Sequence, residues 1–339
     1  MQDLAIVILN FNGVNHLSQF LPSVCSFSKD YPILVIDNAS TDESVSLLSE
    51  KFPQVELIKL KANFGFAGGY NEGLSQLKNR YKLLLLLNSD VEVTENWLLP
   101  LLATMTDEHV AACQPKIKSY TRKTHFEHAG AAGGYLDKNY YPFCRGRIFS
   151  HCEEDHGQYN YPATVTWTSG AAMLVRADLF YSMGGFDLDF FAHMEEIDLC
   201  LRFNLAGYRL VCEPKSVVYH LGGGTMPYES ATKLFLNFRN NLLLILKNHQ
   251  GIWLPRLLQR MVLDGLAALQ FLMKGKLNFF MMVFFAHMSF YTKIGATLKK
   301  RREIKSVVKK YASYNGNIIW DFYFKKIRTY VGINKRRFS

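Results

Sequence analysis

Short, nearly continuous apolar runs recur along the first quarter of the chain: LAIVIL (4–9), ILVID (33–37), VELIKL (55–60) and KLLLLL (82–87). Runs of this length and β-rich make-up predict strands buried on both faces, hence a mostly parallel sheet covered by helices. Between them, SVSLLSEKF follows the capping sequence STDE (40–43), and YNEGLSQLKNRY follows a glycine pair. Both read as helices flanking the sheet. From 114 to 163 the pattern loosens into aromatic, glycine and charged residues (FEHAGAAGGYLDKNYYPFCRGRIF), which predicts loops and short strands beside a site. Order returns at TVTWTSGAAMLVRADLF (164–180), FFAHMEEIDLCLR (190–202), YRLVCEP (208–214) and SVVYH (216–220), the last followed by three glycines at 222–224. The expected class is α/β, with one domain over 1–245 and a helical, basic region over 246–339.

That second region carries its own signal. LNFFMMVFFAHMSFY (277–291) is strongly apolar but short for a membrane span, and Asn278, His287 and Ser289 interrupt it. Followed by KKRREIKSVVKK, it predicts a helix lying in a membrane interface, with lysines and arginines on anionic headgroups. A buried helix pair with a solvated basic face is the alternative. Charge supports the division: residues 293–339 hold 14 Lys or Arg against Glu303 and Asp321, so the net +10 of the chain sits in its tail. An anionic membrane surface fits such a tail better than nucleic acid does, given the apolar segment before it. The six cysteines show no C-x-x-C pair and read as buried thiols of a reducing compartment. LAIVIL lacks a basic leader and reads as a first strand, so the expected location is cytoplasmic, peripheral on the inner face of the cell membrane.

Open α/β sheets bind ligands beyond the carboxyl ends of their strands. There stand NFNG (10–13), DNASTD (37–42), NFGFAGGYNEG (63–73) and NSD (88–90). Asp90 offers a hard oxygen ligand for Mg2+ or Mn2+, although a strand-end Asp also serves as a turn residue. Asp37, Asn38 and Asp42 can meet a base edge or ribose hydroxyls, while Ser40 or Thr41 caps the next helix. Gly65, Gly68 and Gly69 permit close backbone approach, with a helix amino end facing phosphate. Neither a P-loop nor a convincing G-x-G-x-x-G is present. His220, closing an apolar strand, can offer a neutral imidazole to a metal. A helix over 193–206 places Asp198 and Arg202 at i and i+4, an ion pair, with Glu196 about 100° round from Glu195.

Taken in order, VILNFNG, VIDNASTD, NFGFAGGYNEG, LLLLNSDVEV, SGAAMLVRADLF with GGFD, EEIDLCLR and VYHLGGGT resemble the inverting family 2 glycosyltransferases of GT-A fold, especially the rhamnosyltransferase-like branch. The resemblance spans roughly residues 3–245. It implies a nucleotide-diphosphate sugar donor (dTDP-rhamnose-like or a UDP-sugar), Mn2+ or Mg2+, and a hydroxyl of a lipid-linked or polysaccharide acceptor in cell-envelope polysaccharide biosynthesis. On it, Asn10, Asn12, Asp37, Asn38, Asp42, Asn63, Gly69, Asn71, Asn88, Ser89 and Asp90 are expected at the nucleotide-sugar. Asn88 to Asp90 fall on the family's D-x-D, with Asn88 in place of its first Asp, and His220 falls on a metal-binding histidine. Glu196 falls on the catalytic base, usually Asp, and Glu195 on the Glu before it. Trp167, Asp198, Arg202, Arg239 and Asn240 are candidate acceptor or phosphate contacts, against plain packing for Trp167 and a surface position for Arg239. Two rivals remain. A nucleotidyltransferase would need a basic, glycine-rich loop after the first strand, where NFNG has no Lys or Arg. A catalytically silent nucleotide-sugar-binding or scaffold protein would not need a base.

Overall fold

A computed structural model describes residues 2–222, 230–304, 306–308 and 311–339. The glycines at 223 and 224, with Thr225 of the VYHLGGGT motif, lie outside the described residues. Strands β1 (Gln2–Asn10), β2 (Ile33–Asp37), β3 (Glu56–Lys59) and β4 (Tyr81–Asn88) form the parallel half of a nine-stranded sheet, in the order β3-β2-β1-β4. Successive residues of β1 point to opposite faces: Ala5 and Val7 enter one core, while Leu4, Ile6 and Ile8 enter the other. That double burial is why LAIVIL shows no polar alternation.

The second half of the sheet is mixed. After β5 (Val91–Val93) and β6 (Val110–Ser119), a small antiparallel sheet is built from β7 (Gly134–Leu136), β8 (Pro142–Cys144), β9 (Arg147–Ile148) and β10 (His151–Cys152). The chain then rejoins the main sheet as β11 (Ala163–Val165), β12 (Ala172–Arg176) and β13 (Arg209–His220). β12 lies antiparallel between β4 and β6, and β13 runs parallel to β6 with β5 and β11 antiparallel on it. The segments at 208–214 and 216–220 are thus one strand, irregular between Glu213 and Val217.

Helices α1 (Val14–Phe27), α2 (Ser44–Lys51) and α4 (Leu98–Thr104) cover one face. The other carries α3 (Gly65–Ser75), α5 (Ala177–Ser182), α6 (Glu195–Leu205) and α7 (Ala231–Asn248). α3 starts before the glycine pair rather than after it, and the reason is packing. A Cβ on Gly73 would come within 2.3 Å of Ile36, and one on Gly69 within 2.8 Å of Leu9, so glycine lets the helix settle onto β1 and β2.

The expected boundary at 245 falls inside α7, which packs with α8 (Trp253–Met273) and α9 (Leu277–Glu303). α8 is built inside out. Arg260 and Asp264 are buried and ion-paired at 2.7 Å, while Leu254, Leu258, Val262, Leu266, Leu269 and Met273 are 48–81% exposed. The apolar segment at 277–291 belongs to a single 27-residue helix, long and apolar enough to cross a membrane by length and composition alone. Its basic end differs from the expectation. Lys293 and Lys300 turn inward to Asp189 at 2.7 and 2.6 Å, and Arg301 binds the carbonyls of Leu246 and Gly251, leaving Lys299 and Arg302 less enclosed. Beyond α9 the chain is not a helical arm. Residues 311–339 return to the small sheet, where Tyr314 N–H donates to Leu136 O (2.9 Å), Ile318 N–H donates to Asp137 (3.0 Å), and Tyr330 stacks on Tyr135.

Candidate functional site

The carboxyl ends of β1, β2 and β4 carry a continuous polar rim. Asn10 donates through Nδ2 to Asp37 Oδ1 and to Ser40 Oγ, each at 3.2 Å, while its buried Oδ1 has no partner. Asp37 also accepts from Ser40 N–H at 3.0 Å. Asn12, in the left-handed region at φ 50°, accepts from Thr41 N–H at 2.7 Å and fixes the two loops together. Asn38 donates to Asn63 Oδ1 (2.9 Å) and Gly65 O and accepts from Phe64 N–H, so the second and third loops share one network. Ser89 lies against the backbone at Gly13. Asn10, Asn12, Asp37, Asn38, Asn63, Asn88, Ser89 and Asp90 therefore gather at one mouth, as the motif order suggested.

Three expected donor contacts have other tasks. The Asp42 carboxylate accepts from Val14 N–H (3.0 Å) and Ser44 N–H (3.1 Å), at the starts of α1 and α2. Partial burial acts to raise its pKa, but the hydrogen bonds from Ser44 and Val14 hold it below the usual range. Asn71 clamps Phe186 like a peptide, donating to its carbonyl at 2.7 Å and accepting from its N–H at 3.0 Å. Gly69 faces Leu9 and the Asn38 amide inside the fold.

Asp90 and His220 meet at the edge of this rim, because β5 returns antiparallel on β13 with Val91 opposite His220. Asp90 Oδ1 and His220 Nε2 are 3.1 Å apart, both groups are buried, and Asn88 Nδ2 lies 3.4 Å from the same nitrogen. On the far side of the ring, Nδ1 lies 3.2 Å from Glu127 Oε2, within ion-pair distance but without hydrogen-bond alignment. Burial alone would lower the pKa of His220, but Asp90 and then Glu127 raise it to about 10. The imidazole therefore carries a proton that a metal would have to displace from Nε2; with that proton gone, a hard oxygen and an imidazole nitrogen about 3 Å apart suit neighbouring positions on one Mn2+ or Mg2+, with phosphate and water completing the shell. Among the described residues no third carboxylate, histidine or cysteine converges with them to form a full protein cage. Glu127 was not legible as a site residue; in FEHAG it is one acid in an irregular loop, and only β6 and the turn after it bring it to His220.

The acids of EEID open α6. Glu195 is buried, Glu196 is half-buried, and one carboxyl oxygen of each is buried without a partner. Burial pushes Glu195 well above the ordinary carboxylate range, with Glu196 beside it adding to the rise, and burial pushes Glu196 up to about 7. Glu196 Cβ would stand 3.7 Å from a Cβ built on Gly170, and the next residue, Ala171, accepts from Asn88 N–H. One residue therefore separates the acid's wall from the end of β4. The approach to α6 is contorted: Phe191, His193 and Met194 all have φ between 64° and 73°. Such conformations need outside support and concentrate at functional sites. Arg239 and Asn240 supply it. Arg239 donates to the carbonyls of Asp189 and Phe190, and Asn240 Nδ2 faces those of Phe190, Ala192 and His193 at 2.7–2.9 Å. The pair thus holds the acid loop by its backbone instead of reaching phosphate. His193, which sequence reasoning passed over, keeps a buried Nε2 without a partner, and burial lowers it to about 4.

Asp198 and Arg202 form the expected ion pair at 2.8 Å, within a larger buried cluster. Asp198 also accepts from Lys247 (2.9 Å) and Asn248 (2.8 Å), and Arg202 donates to Met183 O and Gly185 O. Asp198→Asn leaves the buried Arg202 without a carboxylate and Lys247 with Asp187 alone, so we expect a loss of about 3–5 kcal/mol in urea unfolding. A change below about 1 kcal/mol would remove the cluster as a structural keystone. Trp167 is packing: it is buried, donates to Tyr135 O at 3.1 Å and covers Gly134.

Residues 5–181, more than half of the chain, match the family described as Glycosyl transferase family 2. An N-acetylglucosaminyl-diphospho-decaprenol L-rhamnosyltransferase of Mycobacterium tuberculosis is 25% identical over 299 residues, covering 79% of this chain and 91% of that protein. Rhamnosyltransferase WbbL of Escherichia coli K12 is 23% identical over 220 residues, covering 63% of this chain and 82% of its own. Among solved structures, GalNAc-T7 with UDP, GalNAc and Mn2+ aligns at a TM-score of 0.57 and 18% identity, over 72% of this chain and 48% of that one. The mannosyltransferase PcManGT from Pyrobaculum calidifontis, with GDP-Man and Mn2+, aligns at 0.51 and 12% identity over 86% of each chain. The chain belongs to glycosyl transferase family 2, as an enzyme of GT-A fold with rhamnosyltransferases among its relatives.

Proposed function

We infer that this enzyme transfers a sugar with inversion from a nucleotide-diphosphate sugar to a hydroxyl of a lipid-linked acceptor at a membrane surface. The observation that carries the reading is the placement of Glu196, a carboxyl raised to about 7, one residue from the strand end that bears Asn88 and Asp90. A base with that pKa is half ionised near neutral pH and still basic enough to take a proton. Glu196 accepts the proton of the acceptor hydroxyl as its oxygen forms a bond to the anomeric carbon. The bond from that carbon to the diphosphate breaks on the opposite face, and the nucleoside diphosphate departs with the electron pair. Asp90 and His220 would hold Mn2+ or Mg2+, which when bound supplies positive charge to the leaving diphosphate. Asn10, Asp37 and Asn38 orient the nucleotide at the ends of β1 and β2.

The acceptor reading rests on the relative that acts on a decaprenyl-diphosphate substrate and on the apolar outer face of α8 and α9. A dTDP-rhamnose-like donor follows the rhamnosyltransferase relatives, and a UDP-sugar is the second candidate. The α9 helix lies along the membrane and does not cross it in this reading, because Lys293 and Lys300 tie its second half to Asp187 and Asp189 beside the site. The location follows as peripheral, on the cytoplasmic face.

The test is to incubate the full chain with Mn2+, a panel of nucleotide sugars and a lipid-linked acceptor extract, and to measure nucleoside diphosphate release. We expect release with one donor, abolished by EDTA and restored by Mn2+, and lost in Asp90→Asn. No release with any donor and acceptor would leave a silent nucleotide-sugar binder.

A further inference from the structure

A cavity of about 1240 Å³ opens beside the catalytic acids, and nothing in the transfer step above uses it. Its lining includes Glu127, which touches the candidate metal ligand His220, and Met194, which precedes the acids. The small sheet and α7 contribute most of the remaining wall, and Phe271 on α8 also lines it. Leu272 and Met273, next along that helix, belong to the exposed apolar face. The cavity is therefore lined both by neighbours of the reacting centre and by the helix whose exposed face the proposed membrane reading assigns to lipid.

Its lining carries Arg122, Arg147, Lys233 and Arg260 against one carboxylate, Glu127. Arg147 on β9 is only 6% exposed, yet no described carboxylate pairs with it. Its Nη2 donates to the Cys144 thiol at 3.4 Å, and its buried Nε has no partner. A guanidinium withdrawn from water without an acid is costly, and its planar fork suits the oxygens of a phosphate. Lys233, in the first turn of α7, and Arg122 line the same space. Arg260 also lines it but is engaged by Asp264.

We propose that this cavity, with Arg147 and Lys233 in its wall, binds the diphosphate of a lipid-linked acceptor, holding the lipid so that its sugar faces Glu196. The assignment rests on the lipid-linked reading above and names the group recognised. A diphosphate could also belong to the donor, so the test must separate the two sources.

The probe is a short-chain prenyl diphosphate in detergent micelles, compared with the same prenyl chain as its alcohol, titrated into the full chain. Binding is measured alone and with excess UDP, dTDP and Mn2+. We expect the diphosphate to bind at least about tenfold more tightly than the alcohol, and Arg147→Gln to remove that preference, the usual worth of a charge-assisted hydrogen bond. Arg147→Lys should retain part of it, and Lys233→Gln should weaken it. Excess nucleotide should leave binding in place. Displacement by nucleotide would assign the anion site to the donor and overturn the proposal, as would equal binding of diphosphate and alcohol, or unchanged binding in both Arg147→Gln and Lys233→Gln. Because binding is read without turnover, an enzyme that binds the prenyl diphosphate through Arg147 but transfers no sugar would sink the activity reading and keep the subsite.

Discussion

Glu196→Gln should lower kcat on the order of 10²–10⁴ while leaving the affinity for the nucleotide sugar close to that of the parent enzyme. The amide keeps the shape of the side chain and removes only its ability to take a proton. The parent's kcat/KM should rise with pH through about 7 as Glu196 ionises, and the residual rate of the variant should lack that limb. Stability should move the other way. Burial raises the pKa of Glu196, so between the usual 4.5 and about 7 the folded chain keeps a proton that the unfolded chain releases, and the fold weakens as pH rises across that window. The penalty above pH 7 is at most about 3 kcal/mol for such a shift, and less for a half-buried group. Glu196→Gln should therefore melt about 2–4 °C higher than the parent at pH 8 and at the same temperature at pH 4. A variant that turns over normally would remove Glu196 from the base role and make Glu195→Gln the next variant to measure. A variant that is slow but shows no gain in melting temperature would mean that Glu196 is ionised in the resting enzyme and its environment has been misread.

Much of the nucleotide end of this site could be read from the chain because Asn10, Asp37, Asn88 and Asp90 sit at or just after the ends of buried strands. Asn10, Asp37, Asn88 and Asp90 had to converge once β1, β2 and β4 were recognised as parallel neighbours, and the registers pair Asn10 with Asp37 and Leu9 with Asn88. The i, i+4 spacing of Asp198 and Arg202 likewise gave their pairing from local geometry alone. Long-range relations were harder. Asn71 and Asn240 have the chemistry of ligand-binding amides, but their partners are main-chain groups of Phe186 and of the 190–193 loop, brought near only by the finished fold. Arg147 and Glu127 lie in the aperiodic stretch between β6 and β11, whose short antiparallel strands leave no signal of which face a side chain takes. The tail misled for a related reason. Net charge is a sum, and it hid Tyr314, Tyr330 and Phe338, which pack at irregular intervals on the small sheet.

The same return of the tail determines how the membrane face can be tested. Cutting the chain near residue 250 would remove α8 and α9 but also the segment that pairs with Leu136 and Asp137, so lost flotation could reflect lost folding. The sharper variant carries Leu258→Glu, Val262→Glu and Leu266→Glu on the outward side of α8. These side chains are 53–65% exposed, so their replacement leaves the core intact and the melting temperature within about 2 °C. In an acyl boundary each contributes on the order of 1 kcal/mol, and each new carboxylate adds repulsion from anionic headgroups. Together they should reduce co-flotation with vesicles containing phosphatidylserine by at least about 100-fold. Neutralising Lys299 and Arg302 should cost about 1 kcal/mol per charge and only at low salt, because Lys293, Lys300 and Arg301 are held by internal partners. That ordering, a large apolar effect over a small electrostatic one, separates an inserted helix from a basic patch. If the triple variant floated like the parent while sedimenting as a smaller species, the leucine face would be an interface between copies of the chain, and access to lipid would have to come from another surface.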